Sequence, residues 1–239
     1  HGDAMEKLRH GLALAPQGFA EAPAAWERLG DILHMTAAYA EAEAAFRSAH
    51  AAAGGRVERS RRLRKAGNAQ RDRYDYEAAE ATYEAAARTL GTDGEPPSPV
   101  PDGWWQEHVR LQRDRASLYY WTGRVEAAID TLLAVRAAVE RHAEDELLPF
   151  HSQFLFICLR RDRWAATPEA IEQMQAARAV LAAAGVEGIR PALLFQFGFG
   201  ELWLGLLDDA QAHLGEALQQ AERTGDLNLQ ARCLTYLTI

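Results

Sequence analysis

Residues 63–91 read LRKAGNAQRDRYDYEAAEATYEAAARTLG, and the small residues of this stretch predict how the chain folds. Gly67 is followed by Ala79, Tyr83 and Ala86 at offsets of 12, 16 and 19 residues. Small and apolar residues at such helical intervals place one stripe along each of two helices. The stretch therefore predicts two antiparallel helices that approach each other closely through small residues.

The same offsets recur in four other places, so five units share one pattern. A recurrence of roughly 20–50 residues is typical of a repeat array. We take the small residue of each first helix as its marker, and these are Gly30, Gly67, Ala116, Cys158 and Gly198. Successive markers are 37, 49, 42 and 40 residues apart. We therefore predict an all-α fold, an α-α superhelix of antiparallel helix pairs with about five whole repeats.

Half repeats are predicted at both ends of the chain. Ala4, Leu8 and Gly11 keep the spacing of a second helix, and a single helix is expected after Asp226. The chain is accordingly expected to be a piece of a longer array. Residues 92–107 contain four prolines within six residues, which cannot continue a helix.

This proline-rich segment is predicted to be a loop between repeats, with a domain boundary as the alternative. It separates N-terminal repeats over residues 1–91 from three repeats and a lone helix over residues 108–239. Gly91 and Gly185 are expected to follow helix ends, and Thr167-Pro168-Glu169 reads as the start of a helix.

Composition limits the class of protein. The net charge of −8 argues against direct nucleic-acid binding, which needs a dominant positive field. The most apolar run, residues 192–207, is too short and too interrupted by polar residues and glycine to span a membrane. Two cysteines without a CxxC partner favour a reducing compartment, so we expect a cytoplasmic protein.

No motif for catalysis, a metal or a cofactor is found in the sequence. It lacks a GxxxxGK[ST] phosphate loop and an HExxH zinc motif. Gly198 and Gly200 fall within a helical pattern, which favours helix packing over a dinucleotide loop. Cys158 and Cys233 are interpreted as small core residues. We therefore expect no enzyme activity, catalytic residue, metal or cofactor.

The chain resembles the tetratricopeptide repeat family. The first whole repeat carries the closest match to the family pattern: Trp26, Leu29, Gly30, Leu33, Tyr39, Ala42, Phe46 and Ala49. Later repeats depart from it, because Cys158 replaces the glycine and Leu132 and Leu214 replace the aromatic residue. Long, degenerate repeats of this kind resemble the sensor arrays of large bacterial ATPase, cyclase or transcriptional regulators.

The resemblance implies that the first helices line a concave binding face. A basic strip on this face is the first candidate ligand site; its members are Arg61, Arg64, Lys65, Asn68, Arg71, Arg110 and Arg113. Converging guanidinium groups suit carboxylate or phosphate. The alternatives are a solvated charged face or a ladder of ion pairs between repeats, since Glu27 and Asp31 fall on the equivalent face of the first repeat.

The second candidate site is an apolar patch on the same face, formed by Phe195, Phe199 and Leu202 of the fifth repeat with Leu155 and Phe156 of the fourth. An apolar patch beside a basic one suits an amphipathic helix or an extended peptide. The alternative is that another segment covers these rings, or that they pack between repeats.

These features favour a non-catalytic protein- or peptide-binding scaffold, a fragment of a larger bacterial signalling or transcription-regulatory protein. The partner is expected to be a protein or peptide, with another domain of the same full-length protein as one candidate. The alternative is a sensor of small anionic ligands that uses the basic strip, and an enzyme is the third reading.

Overall fold

The computed structural model describes residues 2–16, 18–52, 54–92, 96–184 and 189–238, and within these ranges all regular secondary structure is helical. The helices are α1 (Gly2–Leu14), α2 (Ala22–Met35), α3 (Tyr39–Ala51), α4 (Arg56–Asp72), α5 (Tyr76–Leu90), α6 (Trp104–Trp121), α7 (Val125–His142), α8 (Leu147–Arg161), α9 (Pro168–Ala184), α10 (Pro191–Trp203), α11 (Leu207–Thr224) and α12 (Leu227–Leu237). A 3₁₀ turn, Glu144–Glu146, precedes α8. The predicted all-α fold is confirmed.

The spacing of small residues locates the helix contacts correctly. Every marker residue, and every residue 12, 16 or 19 positions after a marker, is buried. A β-carbon built on Gly30 would lie 2.6 Å from Cε1 of Phe46. One built on Gly198 would lie 2.9 Å from Cγ of Leu214. The paired helices α2–α3 and α10–α11 therefore touch where only glycine fits.

The turns inside the hairpins share a left-handed residue. Ala37, Tyr74, Gly123 and Gly205 all have φ between 59° and 79°, and the amide of each next residue donates to a carbonyl five positions back. The turn between α8 and α9 differs, because Arg163 and Trp164 are both left-handed, at φ 53° and 65°. That turn places a bulky indole in a backbone region that such side chains rarely adopt.

The signals at helix ends are confirmed where the structure describes them. Gly91 ends α5 in the left-handed conformation, at φ 80°. The hydroxyl of Thr167 accepts a hydrogen bond from the amide of Ala170 at 3.3 Å and so caps α9. Gly185 lies outside the described residues, as do positions 93–95 of the proline-rich segment.

The chain forms two compact units, His1–Leu118 and Tyr119–Ile239. In unit 1, α1 packs on α2, and the hairpins α2–α3 and α4–α5 pack side by side. In unit 2, α7 packs on α8, and the hairpins α8–α9 and α10–α11 are followed by α12. The division at the proline-rich segment stays a prediction.

The loop predicted over residues 92–107 ends earlier than expected, because α6 already begins at Trp104. The Trp104 side chain is buried against Val57 and Leu90, and its indole N–H donates to the carbonyl of Leu90 at 3.0 Å. This contact fixes the first turn of α6 on the preceding hairpin.

Unit 2 has its own core between α10, α11 and α12. It contains Leu194, Phe195, Phe199, Leu214, Ala217, Ala221, Leu229 and Cys233. Helix α12 therefore closes this core.

None of the described helices has the length and apolarity to cross a membrane.

Candidate functional site

The basic strip lies on α4, where carboxylates from the neighbouring first helices meet it. Arg61 donates two hydrogen bonds to Glu27 of α2, at 2.8 and 3.0 Å. Lys65 contacts Glu27 at 2.9 Å and Asp31 at 2.8 Å. Burial raises the pKa of Glu27, but hydrogen bonds from Arg61 and Lys65 outweigh it and lower the pKa to about 2. Glu27 is therefore an anion at neutral pH.

Arg64 connects α4 to α6 in the same way. It donates two hydrogen bonds to Glu107, at 2.8 and 3.1 Å, and one to Asp114, at 2.7 Å. Only 9% of Arg64 is exposed. The expectation that this guanidinium lines an open anion site is wrong, because two carboxylates of α6 already occupy its donors.

Asn68 and Arg71 complete the network around Asp114. The Asn68 amide donates to Asp114 at 3.0 Å, and its oxygen accepts from the Tyr83 hydroxyl at 2.6 Å. Arg71 donates to Asp72 at 2.8 Å and lies 3.8 Å from Asp114. Asn68, which the sequence indicated as a candidate ligand-binding residue, is therefore engaged in contacts inside unit 1.

Arg110 and Arg113 of α6 are half-buried and also make polar or electrostatic contacts. Burial raises the pKa of Glu107, and the positive charges of Arg64 and Arg110 oppose that rise. The basic residues of α4 thus form an ion-pair ladder with α2 and α6, one of the two alternatives that the sequence left open. This arrangement does not favour the anion-sensor reading.

Phe195 and Phe199 do not form an exposed patch, so that expectation is wrong. They are 1% and 2% exposed and lie beneath Tyr236 of α12, with ring centroids 5.8 and 4.7 Å away. The structure agrees with the alternative that these rings pack between repeats. The helix that covers them is α12.

A continuous set of aromatic rings lies in unit 2, on α6, α8 and α10 and on the turn that follows α8. The sequence indicated that Phe156 and Phe199 lie on this face but did not assign Tyr120, Trp164 or Trp203 to it. Tyr120 at the end of α6 contacts Phe156 of α8, with centroids 5.0 Å apart. Phe156 contacts Trp164 at 6.1 Å and Phe199 at 4.7 Å. Trp164 then stacks on Trp203 of α10 at 4.9 Å with an interplanar angle of 29°.

Arg160 lies at one end of these rings. Its guanidinium carbon is 4.3 Å from the centroid of Tyr120, a cation–π distance. Burial raises the pKa of Tyr120, while a hydrogen bond and the charge from Arg160 act in the opposite direction. In the part of the chain that the structure describes, no carboxylate pairs with Arg160.

We call this set the arginine–aromatic surface: Tyr120, Phe156, Arg160, Trp164 and Trp203, with Phe199 beneath. Trp203 is 37% exposed, and Phe156, Arg160 and Trp164 are half-buried. A guanidinium held against a ring still has N–H donors for an anion, while the exposed indole of Trp203 offers apolar contact. The spacing of Phe156, Arg160 and Trp164 by four residues was visible in the sequence.

A second polar cluster joins α9, α10 and α11. Glu201 is fully buried, and one of its oxygens lies 2.7 Å from Nδ1 of His213. Arg178 lies 3.6 Å from the other oxygen of Glu201 and also pairs with Asp209 at 2.9 Å. The hydrogen bond with Glu201 raises the pKa of His213, and burial lowers it by less. The pKa of His213 is therefore raised overall.

The two cysteine thiols are buried and not available for chemistry at the surface. Cys158 and Cys233 are buried, and burial raises the pKa of the Cys158 thiol to about 12. Among the described residues, no three His, Cys, Asp or Glu side chains are grouped to hold a metal ion. Both cysteines thus occupy core positions, as expected.

Comparisons with known proteins identify the fold. No protein-family model matches the chain, and no curated protein matches it significantly. Among solved structures, the apo form of RapI is 12% identical with a TM-score of 0.58, covering 97% of this chain and 62% of that one.

Two further matches are tetratricopeptide-repeat proteins. The first is a signal transduction ATPase with numerous domains and a tetratricopeptide repeat sensor, from Pyrococcus horikoshii. It is 11% identical with a TM-score of 0.62, over 99% of this chain and 34% of that one. The second, a thermophilic protein from Thermus thermophilus, is 19% identical with a TM-score of 0.57, over 91% and 100%.

The chain thus spans 62% of the length of RapI and 34% of the Pyrococcus ATPase. Sequence identities this low establish shared architecture alone. The predicted resemblance is confirmed at that level: the chain has the tetratricopeptide-repeat fold.

Proposed function

We propose that the chain is a non-catalytic scaffold that binds a protein or peptide through the arginine–aromatic surface of unit 2. We further propose that it is a segment of a larger cytoplasmic signalling or transcription-regulatory protein of bacterial type. Its partner would be a peptide or another domain of that protein.

The exposed indole of Trp203, connected to Arg160 through the rings of Trp164, Phe156 and Tyr120, is the observation that carries this proposal. Interface hot spots are rich in tryptophan, tyrosine and arginine. The surface places all three types on adjacent helices, because Tyr120 is on α6, Arg160 on α8 and Trp203 on α10. Rigid helices hold these side chains, so binding costs little ordering of the scaffold.

The comparison with the Pyrococcus ATPase supports the regulatory part of the proposal. Its repeat region is described as a sensor, and this chain aligns with about a third of that protein. A region of this type would bind a signal and pass the change to a linked domain. The ion-pair ladder of unit 1 has a structural role in this scheme, since Arg61, Arg64 and Lys65 are already paired with carboxylates.

A selection from random twelve-residue peptides displayed on phage tests the proposal. Peptides that bind the chain are synthesised, and their affinity is measured by fluorescence anisotropy. Trp203→Asp should weaken binding by about tenfold or more, as loss of a hot spot does. Leu133→Asp is the matched control, since Leu133 is also a large exposed residue of unit 2, at 46%.

Undiminished binding to Trp203→Asp would overturn the assignment of the surface. Failure to select any peptide, with the chain folded by circular dichroism, would overturn the proposed peptide binding itself.

A further inference from the structure

The charge environment of Arg160 differs from that of the arginines around it. Arg161, the next residue, contacts Asp162 at 2.9 Å and Glu169 at 2.6 Å. Arg178 of α9 pairs with Asp209 at 2.9 Å. Arg160, by contrast, has Tyr120 as its partner, with no carboxylate of the described residues in salt-bridge reach. Its positive charge is not neutralised within unit 2.

The geometry of Arg160 suits a carboxylate. The guanidinium carbon lies 4.3 Å from the centroid of the Tyr120 ring, and Arg160 also donates a hydrogen bond to the Tyr120 side chain. A guanidinium carries five N–H donors in a planar fork, so two of them can still donate to both oxygens of one carboxylate. A half-buried position strengthens such a contact relative to one in open water.

Apolar side chains lie close to this charge along the chain, one on α8 and one in the turn that follows it. Phe156 and Trp164 lie four residues before and after Arg160, and both are half-buried. Trp164 contacts the exposed Trp203 at 4.9 Å. A large apolar side chain can therefore cover the indoles while a nearby acidic side chain of the same ligand reaches Arg160.

From this juxtaposition we infer that the surface selects peptides in which an aspartate or glutamate lies within a few residues of a large apolar side chain. The inference rests on the proposed function and names the ligand chemistry of the same site. The carboxylate supplies two charge-assisted hydrogen bonds, and the apolar side chain supplies burial against Trp164 and Trp203.

Two phage libraries of twelve-residue peptides, identical except that one omits aspartate and glutamate, test the inference. We expect the complete library to yield binders at least about tenfold more often than the depleted one, as expected for loss of hydrogen bonds to a charged group. Synthetic binders in which the acid is replaced by its amide should lose about tenfold in affinity.

Protein variants assign that effect to Arg160. Arg160→Gln should remove the difference between the two libraries, and Arg160→Lys should keep part of it, since lysine keeps the charge but not the planar fork. Arg223→Gln is the matched control, because Arg223 is an arginine of unit 2 whose side chain is 65% exposed. If Arg160→Gln lowers the melting temperature, the lysine variant and the amide peptides carry the test.

The outcomes separate the two proposals. Equal yields from the two libraries would overturn the ligand chemistry and leave peptide binding standing. The same holds if the Arg160→Gln variant prefers acidic peptides as strongly as the wild type does. No binders from either library overturn both. Binders that require an acid and Arg160 but tolerate Trp203→Asp overturn the apolar half of the inference and, with it, the assignment of the surface as proposed above.

Discussion

Gly67 and Tyr83 meet so closely that a β-carbon on Gly67 would lie 2.6 Å from Cε1 of the ring. The ring cannot easily move aside, because its hydroxyl donates to Asn68 at 2.6 Å and the side chain is fully buried. This contact fixes the distance between α4 and α5, and Gly30 with Phe46 repeats it in the preceding hairpin.

Gly67→Ala should destabilise the protein by about 1–3 kcal/mol, because the added methyl overpacks this contact. Urea unfolding followed by circular dichroism measures the change. Gly215→Ala is the control, since a β-carbon on Gly215 of α11 meets nothing within 4 Å. The control should be neutral or stabilising by up to about 1 kcal/mol, the helix-propensity gain. Equal effects of the two substitutions would contradict the helix pairing.

Arg64→Met should destabilise unit 1 by about 3–5 kcal/mol, because it leaves the buried Glu107 without its cation. Replacing both residues, Arg64→Met with Glu107→Gln, should restore a large part of the loss. Arg88→Met is the control: its guanidinium is 63% exposed and should contribute less than about 1 kcal/mol. A single variant as stable as the control would show that the ladder is not structural.

Glu27 should make stability fall in acid. Its pKa is lowered in the fold, from 4.5 to about 2. Its contribution is therefore present above pH 4.5 and is lost as pH falls through about 2. Urea unfolding between pH 2 and 5 should show a shallower pH dependence for Glu27→Gln than for the wild type. Glu84→Gln, with a side chain 56% exposed, should keep the wild-type dependence.

His213 should make stability fall as the solution becomes more alkaline. Its pKa is raised above 6.5 by Glu201, with Asp209 acting in the same direction and Arg178 against it. The stability that it contributes is present below pH 6.5 and is lost as pH rises through the raised pKa. His213→Gln should remove this loss in unfolding experiments from pH 6 to 9, whereas the exposed His10→Gln should leave it. A wild-type stability that does not fall over this range would contradict the assignment.

The helix pairs could be predicted because their cause is local. Close approach demands a small residue at one position, and that demand appears in the sequence at Gly67 and again at Gly198. The partners of the basic strip could be predicted only in part. Glu27 was visible as a candidate, but the pairing of Arg64 with Glu107 depends on how α6 lies against α4.

The arginine–aromatic surface was harder to predict. Helical spacing marked Phe195 and Phe199 correctly as one face, but it could not show that Tyr236 lies over them. Trp164 gave no turn signal, since no glycine occupies the two left-handed positions of that turn. The sequence therefore indicated which helix face carries the aromatic rings and not which rings reach solvent.

Nuclear magnetic resonance of the indole N–H groups tests the central claim most directly. The chain has six tryptophans, and Trp→Phe variants assign their signals. On titration with a selected acidic peptide, the signals of Trp164 and Trp203 should shift, while Trp26 and Trp104 of unit 1 should stay unchanged. Saturable shifts confined to Trp26 or Trp104, with Trp164 and Trp203 unmoved, would contradict binding at the arginine–aromatic surface.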